Sequence, residues 1–153
     1  FAIEPFLEAR IGVLMPRDHP LANQTIVSIE QLSDQPFATL AQGQRWRDRL
    51  DECFGREGLV PTIGLQTTST PVIQQLVRDG LGLGLVDLIC GRLLPDENLA
   101  FVPLADERWI TYAAIHPNGP KPVLAEQFVD HMCQFVENER ESSSIAARNL
   151  RLI

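Results

Sequence analysis

Four consecutive hydroxyl side chains stand in the segment QTTSTP. They belong to Thr67, Thr68, Ser69 and Thr70, and they follow a predicted strand and directly precede a predicted helix. Hydroxyl groups donate and accept hydrogen bonds, and a helix start adds unpaired backbone N–H groups at the positive end of its dipole. Ser69 and Thr70 also suit helix capping, but capping does not require four hydroxyl groups in a row. We therefore interpret Thr67, Thr68 and Ser69 as candidate contacts to a small polar molecule.

Another candidate loop, AQGQ, follows the predicted strand Pro36–Leu40 and precedes another predicted helix. Thr39 lies near the end of that strand, Gln42 supplies an amide, and Gly43 lets the backbone approach a ligand closely. Neither segment contains an obvious fixed cation, so hydrogen bonds and helix dipoles must hold any anion. These donors favour a carboxylate or another small polar acid as the ligand.

The glycines at positions 80, 82 and 84 do not suit a nucleotide phosphate. A phosphate-binding loop follows a strand and opens a helix. Here the order is reversed, because a helical pattern precedes the glycines and a short buried strand follows them. Gly80 is predicted to end the helix, since it can adopt a left-handed backbone. We expect no cofactor.

Groups suited to catalysis or metal binding are scattered along the chain. The histidines form no HExxH pattern, no serine lies in a GxSxG motif, and the cysteines are not paired at metal-ligand spacing. Cys53 falls on the apolar face of a predicted helix, which favours a structural thiol. We expect no catalytic residue and no metal site, and so no enzyme.

The composition is that of a globular protein, with 153 residues and 44% hydrophobic content. A formal net charge of −7 argues that this chain does not grip nucleic acid by itself. The basic segment QRWRDRLDE alternates with acids and is interpreted as a solvated, ion-paired helix face. Three separated cysteines and the lack of an export signal or membrane span favour a cytoplasmic location with no membrane contact.

Strand and helix patterns alternate through the first two thirds of the chain. Ile11–Met15, Pro36–Leu40 and the segments TIGLQTT and GLGLVD are predicted strands, with helices between the last three. Ser28 and Gln31 form a capping-box pattern for a short helix. This succession predicts an α/β fold with a parallel-type sheet flanked by helices.

The last third of the chain is predicted to contain one strand, RWITYAAI, and one helix, Pro122–Asn138. The apolar residues of the helix are expected to face inward: Leu124, Phe128, Met132, Phe135 and Val136. A lone helix and strand offer each other little surface, so something else is expected to cover them. The polar tail, residues 139–153, is expected to be a flexible end.

The order of several motifs carries a family resemblance. VLMPRDHPLA, SIEQLSDQPFATL, RDRLDECFGREGLVP, TPVIQQLVRDGLGLGLVD and AAIHPNGPKPVLAEQFVDHMCQFV together resemble the effector-binding domain of LysR-type transcriptional regulators. The resemblance covers about Arg10 to Val136. It implies a fold like that of type 2 periplasmic binding proteins, in which two α/β lobes hold a small ligand between them.

By this resemblance the chain is a partial two-lobe domain. It divides into a crossing strand or hinge (1–13), lobe two (14–98), a return crossing strand (99–104), part of lobe one (105–138) and the C-terminal tail (139–153). The first half of lobe one, the linker helix and the N-terminal winged helix-turn-helix of the family have no counterpart in this sequence. We therefore hypothesise that the chain is part of a longer regulator.

The resemblance also implies function. The chain is expected to sense a small-molecule effector, to form a homo-oligomer (a dimer or tetramer), and to act on DNA through an N-terminal domain absent from it. Thr68 aligns with a position where the family often uses a hydroxyl group to contact effector, and the helix Gln44–Gly58 aligns with one that pairs with a second subunit. A solute-binding protein of a transport system, built on the same fold, is the alternative.

Overall fold

The computed structural model describes residues 1–92 and 96–153, which form two compact units. Unit 1 contains residues 1–10 and 109–153, and unit 2 contains residues 11–108. The predicted lobe and hinge boundaries stay a prediction, and residues 93–95 of the predicted segment 14–98 lie outside the described residues. The elements in chain order are β1 (Ala2–Pro16), a 3-10 turn (Glu30–Leu32), β2 (Pro36–Leu40), α1 (Arg45–Arg56), β3 (Thr62–Thr67), α2 (Thr70–Arg78), β4 (Gly84–Asp87), α3 (Leu88–Arg92), β5 (Leu99–Pro103), β6 (Trp109–His116), α4 (Val123–Ser142), α5 (Ser144–Asn149) and β7 (Leu150–Leu152).

Unit 2 contains the predicted parallel strands. β2 pairs in parallel with β3, and a parallel bridge between Phe37 and Leu83 brings β4 beside β2. The Ala38 N–H donates to the Leu83 carbonyl at 2.8 Å, and the Leu83 N–H donates to the Pro36 carbonyl at 2.8 Å. β2, β3 and β4 therefore run in the same direction, and their carboxyl ends meet at one edge.

β1 is longer than predicted, because Ile11–Met15 is only its last part. Within unit 2, its residues from Ile11 onward pair antiparallel with β4 and with β5. The segment Ile11–Met15 is buried throughout, as expected for a strand with neighbours on both sides. The unit is thus α/β with mixed strand directions.

Helix α1 covers one face of β2. Its buried residues are Trp46, Leu50, Cys53 and Phe54, which is the predicted apolar face. Phe54 meets Phe37 edge to face, with ring centroids 5.6 Å apart and planes at 86°. Such a contact adds about 0.5–1.5 kcal/mol beyond the area that the rings bury. This packing sets the position of α1 above β2.

The glycines after α2 shape a turn and a close backbone approach. Gly80 has φ +73° and follows Asp79, the C-cap of α2, which confirms that it ends the helix. Gly82 has φ +153°, and a Cβ built there would lie 2.9 Å from the Ala38 backbone nitrogen. Only glycine allows β4 to begin so close to β2.

The tail prediction was wrong, because residues 139–153 are ordered into the end of α4, α5 and β7. Ser143 caps α5 by accepting a hydrogen bond from the Ala146 N–H at 3.4 Å. β7 pairs antiparallel with Leu7–Ala9 of β1, and Leu150 is 6% exposed. Burial of a few apolar side chains and strand pairing order a segment whose local pattern is weak.

Only part of the predicted inward face of α4 is covered within the described residues, in line with the expectation that something else must cover it. Val136 is 2% exposed, but Leu124, Phe128 and Phe135 are 78%, 62% and 55% exposed, and Met132 is half-buried. Successive helix residues are turned by about 100°, so only one narrow face of α4 can meet unit 1. Leu124, Phe128 and Phe135 lie beside that face instead of on it.

Candidate functional site

The two polar loops predicted from the sequence begin side by side in unit 2. Leu40 pairs with Thr67 at the carboxyl ends of β2 and β3, and the Ala41 N–H donates to the Thr67 carbonyl at 2.9 Å. The first loop along the chain, residues 41–44, leads into α1, and the second loop, around Thr68 and Ser69, leads into α2. The fold therefore places both sets of candidate residues along one edge, here called the carboxyl edge of unit 2.

The four hydroxyl groups of the second loop have different surroundings. The Thr67 hydroxyl accepts a hydrogen bond from the Ser69 N–H at 3.2 Å, so it holds the turn. Ser69, not Thr70, is the N-cap of α2, and its side chain makes no capping hydrogen bond. Thr68 is exposed, and within residues 1–92 and 96–153 its hydroxyl has no recorded partner. The side chains of Thr68 and Ser69 are therefore available to a ligand, whereas the Thr67 hydroxyl stabilises the turn.

The start of α2 also presents backbone donors. Val72 and Ile73 donate to the Ser69 carbonyl at 3.1 and 3.4 Å, and Pro71 has no N–H. No acceptor is recorded among the described residues for the N–H groups of Thr68 and Thr70. These two N–H groups lie at or just before the positive end of a nine-residue helix. An anion at this end would meet backbone and side-chain donors together.

The first loop contributes a buried hydroxyl and exposed groups. Thr39 is 3% exposed and shares a face of β2 with Phe37, which is the face that α1 covers. Gln42 and Gly43 are exposed, and Gly43 has φ +82° with open space where a Cβ would lie. Gln44 is the N-cap of α1, and its Oε1 atom is buried without a partner in the described structure. That Thr39, Gln42 or Gly43 touches a ligand stays a prediction.

Two charged residues at this edge were not predicted as site residues: Asp87 was not considered, and Arg45 was interpreted as part of an ion-paired helix face. Asp87 ends β4 and is 1% exposed, and its Oδ1 accepts a hydrogen bond from the Cys90 N–H at 2.9 Å. The available sequence signal was an acid at the end of a buried strand, directly before a helix. Arg45, the first residue of α1, is exposed and enters no recorded ion pair in the described part of the chain. It is a cation next to the first loop.

Most of the remaining charges of α1 are paired, as predicted for this helix, whereas the exposed Asp48 enters no recorded ion pair in the described part of the chain. Arg47 pairs with Asp51 at 3.0 Å, and Arg49 and Arg56 pair with Glu52 at 3.3 and 3.1 Å. Glu52 also meets Arg108 at 3.1 Å. The hydrogen bond from Arg108 is the main reason why the pKa of Glu52 lies below its ordinary value. Only the pair with Arg108 connects α1 to another segment, and Arg45 remains the cation nearest the loop.

A small pocket of about 90 Å³ lies away from this edge, at the opposite end of β2. Its lining includes His19, Gln35 and Pro36, the first residue of β2. The His19 Nδ1 atom accepts from the Leu21 N–H at 3.2 Å, so Nε2 carries the proton and donates to Gln35 Oε1 at 3.2 Å. Both ring nitrogens are thus satisfied within the protein.

The described residues contain no group of three or more His, Cys, Asp or Glu side chains that could hold a metal ion. No helix within residues 1–92 and 96–153 has the length and apolarity needed to cross a membrane.

Comparison with known proteins matches residues 1–136 to the family described as "LysR substrate binding domain". The chain is 39% identical over 82 residues to the HTH-type transcriptional regulator cbl of Klebsiella aerogenes, which covers 54% of this chain and 26% of that regulator.

Two solved structures have the same fold. The cofactor-binding domain of the Cbl transcriptional regulator matches with a TM-score of 0.64 and 27% identity, over 84% of this chain and 57% of that one. The regulatory domain of CcmR from Synechocystis PCC6803, in complex with 2-PG, matches with a TM-score of 0.66 and 23% identity, over 88% and 66% of the two chains. The predicted α/β fold of the effector-domain type is confirmed, and the chain belongs to the LysR substrate binding domain family.

Proposed function

We propose that this chain is the effector-sensing part of a LysR-type transcriptional regulator. The observation that carries the proposal is the meeting of two polar loops and two helix starts at the carboxyl edge of unit 2. Ligands of open α/β sheets bind at this end of parallel strands. The match covers only 26% of the cbl regulator, and we propose that DNA binding belongs to a part of the protein outside this chain.

The effector is a small carboxylate. Thr68 and Ser69 would donate hydroxyl hydrogen bonds, the N–H groups of Thr68 and Thr70 would add backbone donors, and Arg45 would add positive charge. Gln42 and Gly43 would contact the ligand from the first loop, and Thr39 would contribute its buried hydroxyl. The bound 2-PG of the CcmR regulatory domain supports effector binding by this type of domain.

The effector acts by favouring one arrangement of the regulator. A ligand shifts such an equilibrium only by its different affinity for the two arrangements. The change would pass through a cytoplasmic homo-oligomer, a dimer or tetramer with α1 at one contact, to the DNA-binding part. We propose no catalytic step for this chain. The relatives are transcriptional regulators, which favours sensing over the transport alternative.

A binding titration tests the proposal. The chain is titrated calorimetrically with glycolate, lactate and succinate, and at least one is expected to bind. Thr68→Ala should weaken that binding by about tenfold, which corresponds to the loss of one hydrogen bond to a charged group.

Thr62→Ala is the matched control, since Thr62 is an exposed threonine at the other end of β3. It should leave affinity unchanged. Failure of every small carboxylate to bind would contradict the ligand class, and equal affinities for wild type and Thr68→Ala would remove Thr68 from the site.

A further inference from the structure

The C-terminal segment of unit 1 folds back onto one edge of β1. β7 pairs with Leu7–Ala9, and the Ile153 N–H donates to the Phe6 carbonyl at 3.2 Å. Within unit 1, β1 therefore has β6 on one edge and β7 on the other. We call α5 and β7 together, residues 144–152, the C-terminal clasp. The family match ends at residue 136, so the clasp lies outside the matched region.

The clasp is held closed by a small contact. β6 pairs with eight residues of β1, whereas β7 pairs with only three. The buried apolar side chains of the clasp are those of Ala146 and Leu150, which are 1% and 6% exposed. Short strand pairing and little apolar burial are typical of segments that open locally while the rest of a protein stays folded.

A cation–π contact favours the closed clasp. The guanidinium carbon of Arg151 lies 3.7 Å from the centre of the Trp109 ring. Arg151 belongs to β7 and Trp109 to β6, and β1 runs between these two strands, so the side chain reaches across β1. A guanidinium over the face of an aromatic ring is attracted by the negative charge of that face. The contact therefore fixes β7 to a second strand of the sheet.

A buried amide opposes closure. Asn149 is 4% exposed, and its Nδ2 donates to the Ile145 carbonyl at 2.9 Å within α5. Its Oδ1 atom is buried and has no partner in the described part of the chain. In an open clasp this oxygen would accept hydrogen bonds from water, so closure removes them without replacement. Such a buried, unsatisfied acceptor destabilises the closed state.

We propose that the C-terminal clasp opens as one unit while the rest of unit 1 stays folded, and that the buried Asn149 amide sets how often it opens. α5 and β7 are contiguous, and both contact α4, so they are expected to leave together. Opening exposes the edge of β1 at Leu7–Ala9. The proposal concerns unit 1 alone and does not depend on the function proposed for the carboxyl edge.

Hydrogen exchange of the full chain, followed by NMR, tests the proposal. Amides of residues 146–152 and the amides of Leu7–Ala9 that point toward β7 should exchange together. They should exchange faster than the amides that join β1 to β6, which form the slow reference within unit 1.

Asn149→Leu should slow exchange in the clasp by about tenfold, because it removes the unsatisfied acceptor and keeps a similar side-chain volume. Asn138→Leu is the matched control. Asn138 is an exposed residue of α4, where its Oδ1 accepts a hydrogen bond from Gln134 at 3.2 Å. It should leave exchange in the clasp unchanged.

Arg151→Gln should have the opposite effect and speed exchange in the clasp by about two- to fivefold, since the cation–π contact is lost. Arg148→Gln is its control, because the Arg148 Nε atom donates to the Ser144 carbonyl within α5 at 3.1 Å and that side chain is exposed. Exchange between β1 and β6 should be the same in all four variants.

Three results would overturn the proposal. Clasp amides that exchange as slowly as those between β1 and β6 would exclude a separate opening. Fast exchange in residues 146–152 with slow exchange of the Leu7–Ala9 amides that point toward β7 would exclude a single opening unit. Unchanged or faster exchange in Asn149→Leu would exclude the amide as the group that sets the opening.

Discussion

Leu40 and Thr67 lie opposite each other at the ends of the parallel strands β2 and β3, and the next N–H along β2, that of Ala41, donates to the Thr67 carbonyl at 2.9 Å. This pairing makes the two polar loops neighbours. Any change that shifts one strand end therefore shifts both halves of the candidate site. Thr67 is central to this arrangement, since its carbonyl binds the first loop and its hydroxyl binds the second.

Thr67→Val should lower the free energy of unfolding by about 0.5–1.5 kcal/mol, because it removes the acceptor of the Ser69 N–H without changing side-chain volume. Thr68→Val should change it by less than about 0.5 kcal/mol, since the exposed Thr68 hydroxyl has no recorded partner in the described structure. Urea unfolding of the two variants compares them directly. Equal losses of stability would contradict the separate roles assigned to the two hydroxyl groups.

Gly82→Ala should destabilise unit 2 by about 2–4 kcal/mol, because the new Cβ meets the Ala38 nitrogen at 2.9 Å and the Pro36 carbonyl at 3.0 Å. Gly80→Ala is the control, with φ +73° but nothing within 4 Å of a Cβ. Gly80→Ala should lower the free energy of unfolding by about 1–2 kcal/mol, the ordinary penalty for an alanine in the left-handed conformation. Urea midpoints measure both. A Gly82→Ala variant as stable as Gly80→Ala would show that β4 can move away from β2 at little cost.

Acid should weaken the contact between Arg108 and α1. The pKa of Glu52 is lowered in the folded chain, mainly by its hydrogen bond from Arg108, so this interaction stabilises the fold above the ordinary glutamate pKa of about 4.3. Its contribution is lost as the pH falls through the lower, folded pKa of Glu52. Urea midpoints of the wild type should therefore drop between about pH 5 and pH 3.

Arg108→Gln should make that drop shallower, because Glu52 then loses the main cause of its lowered pKa. Arg56→Gln is the control, since Arg56 is 58% exposed and lowers the pKa of Glu52 less than Arg108 does. The pKa of Asp96 is also lowered, chiefly by a hydrogen bond from the Asn98 backbone N–H. Part of the pH dependence of stability should therefore remain in both variants. An unchanged slope in Arg108→Gln would contradict the assignment.

Deletion of residues 150–153 should expose one edge of β1 in unit 1. The amides of Leu7–Ala9 that point toward β7 should exchange hydrogen faster, because their pairing strand is gone. Amides of Ile11–Met15 pair with β4 and β5 and serve as the internal control. Hydrogen exchange measured by mass spectrometry separates the two segments. Identical exchange with and without the deletion would mean that β7 does not pair stably in solution.

The sequence by itself determined features that depend on near neighbours in the chain. The apolar face of α1, the left-handed Gly80 after α2 and the reciprocal hydrogen bonds of Ser28 and Gln31 were all predicted, and the structure confirms them. Each follows from spacings of three or four residues and from local backbone chemistry. The order of motifs likewise identified the family without any tertiary information.

Only the tertiary structure decided which distant segments meet. Leu150 pairs with Ala9 across nearly the whole chain, and Asp87 reaches the same edge as Thr39 and Thr67 through the bridge of β4 to β2. The structure also decided which apolar residues of α4 are covered within the chain: Val136 is buried, whereas Leu124, Phe128 and Phe135 are exposed. Local periodicity identifies the apolar residues of a helix, but the surface available for packing decides which of them are buried. That surface is assembled from strands far apart in sequence, so no short stretch contains it.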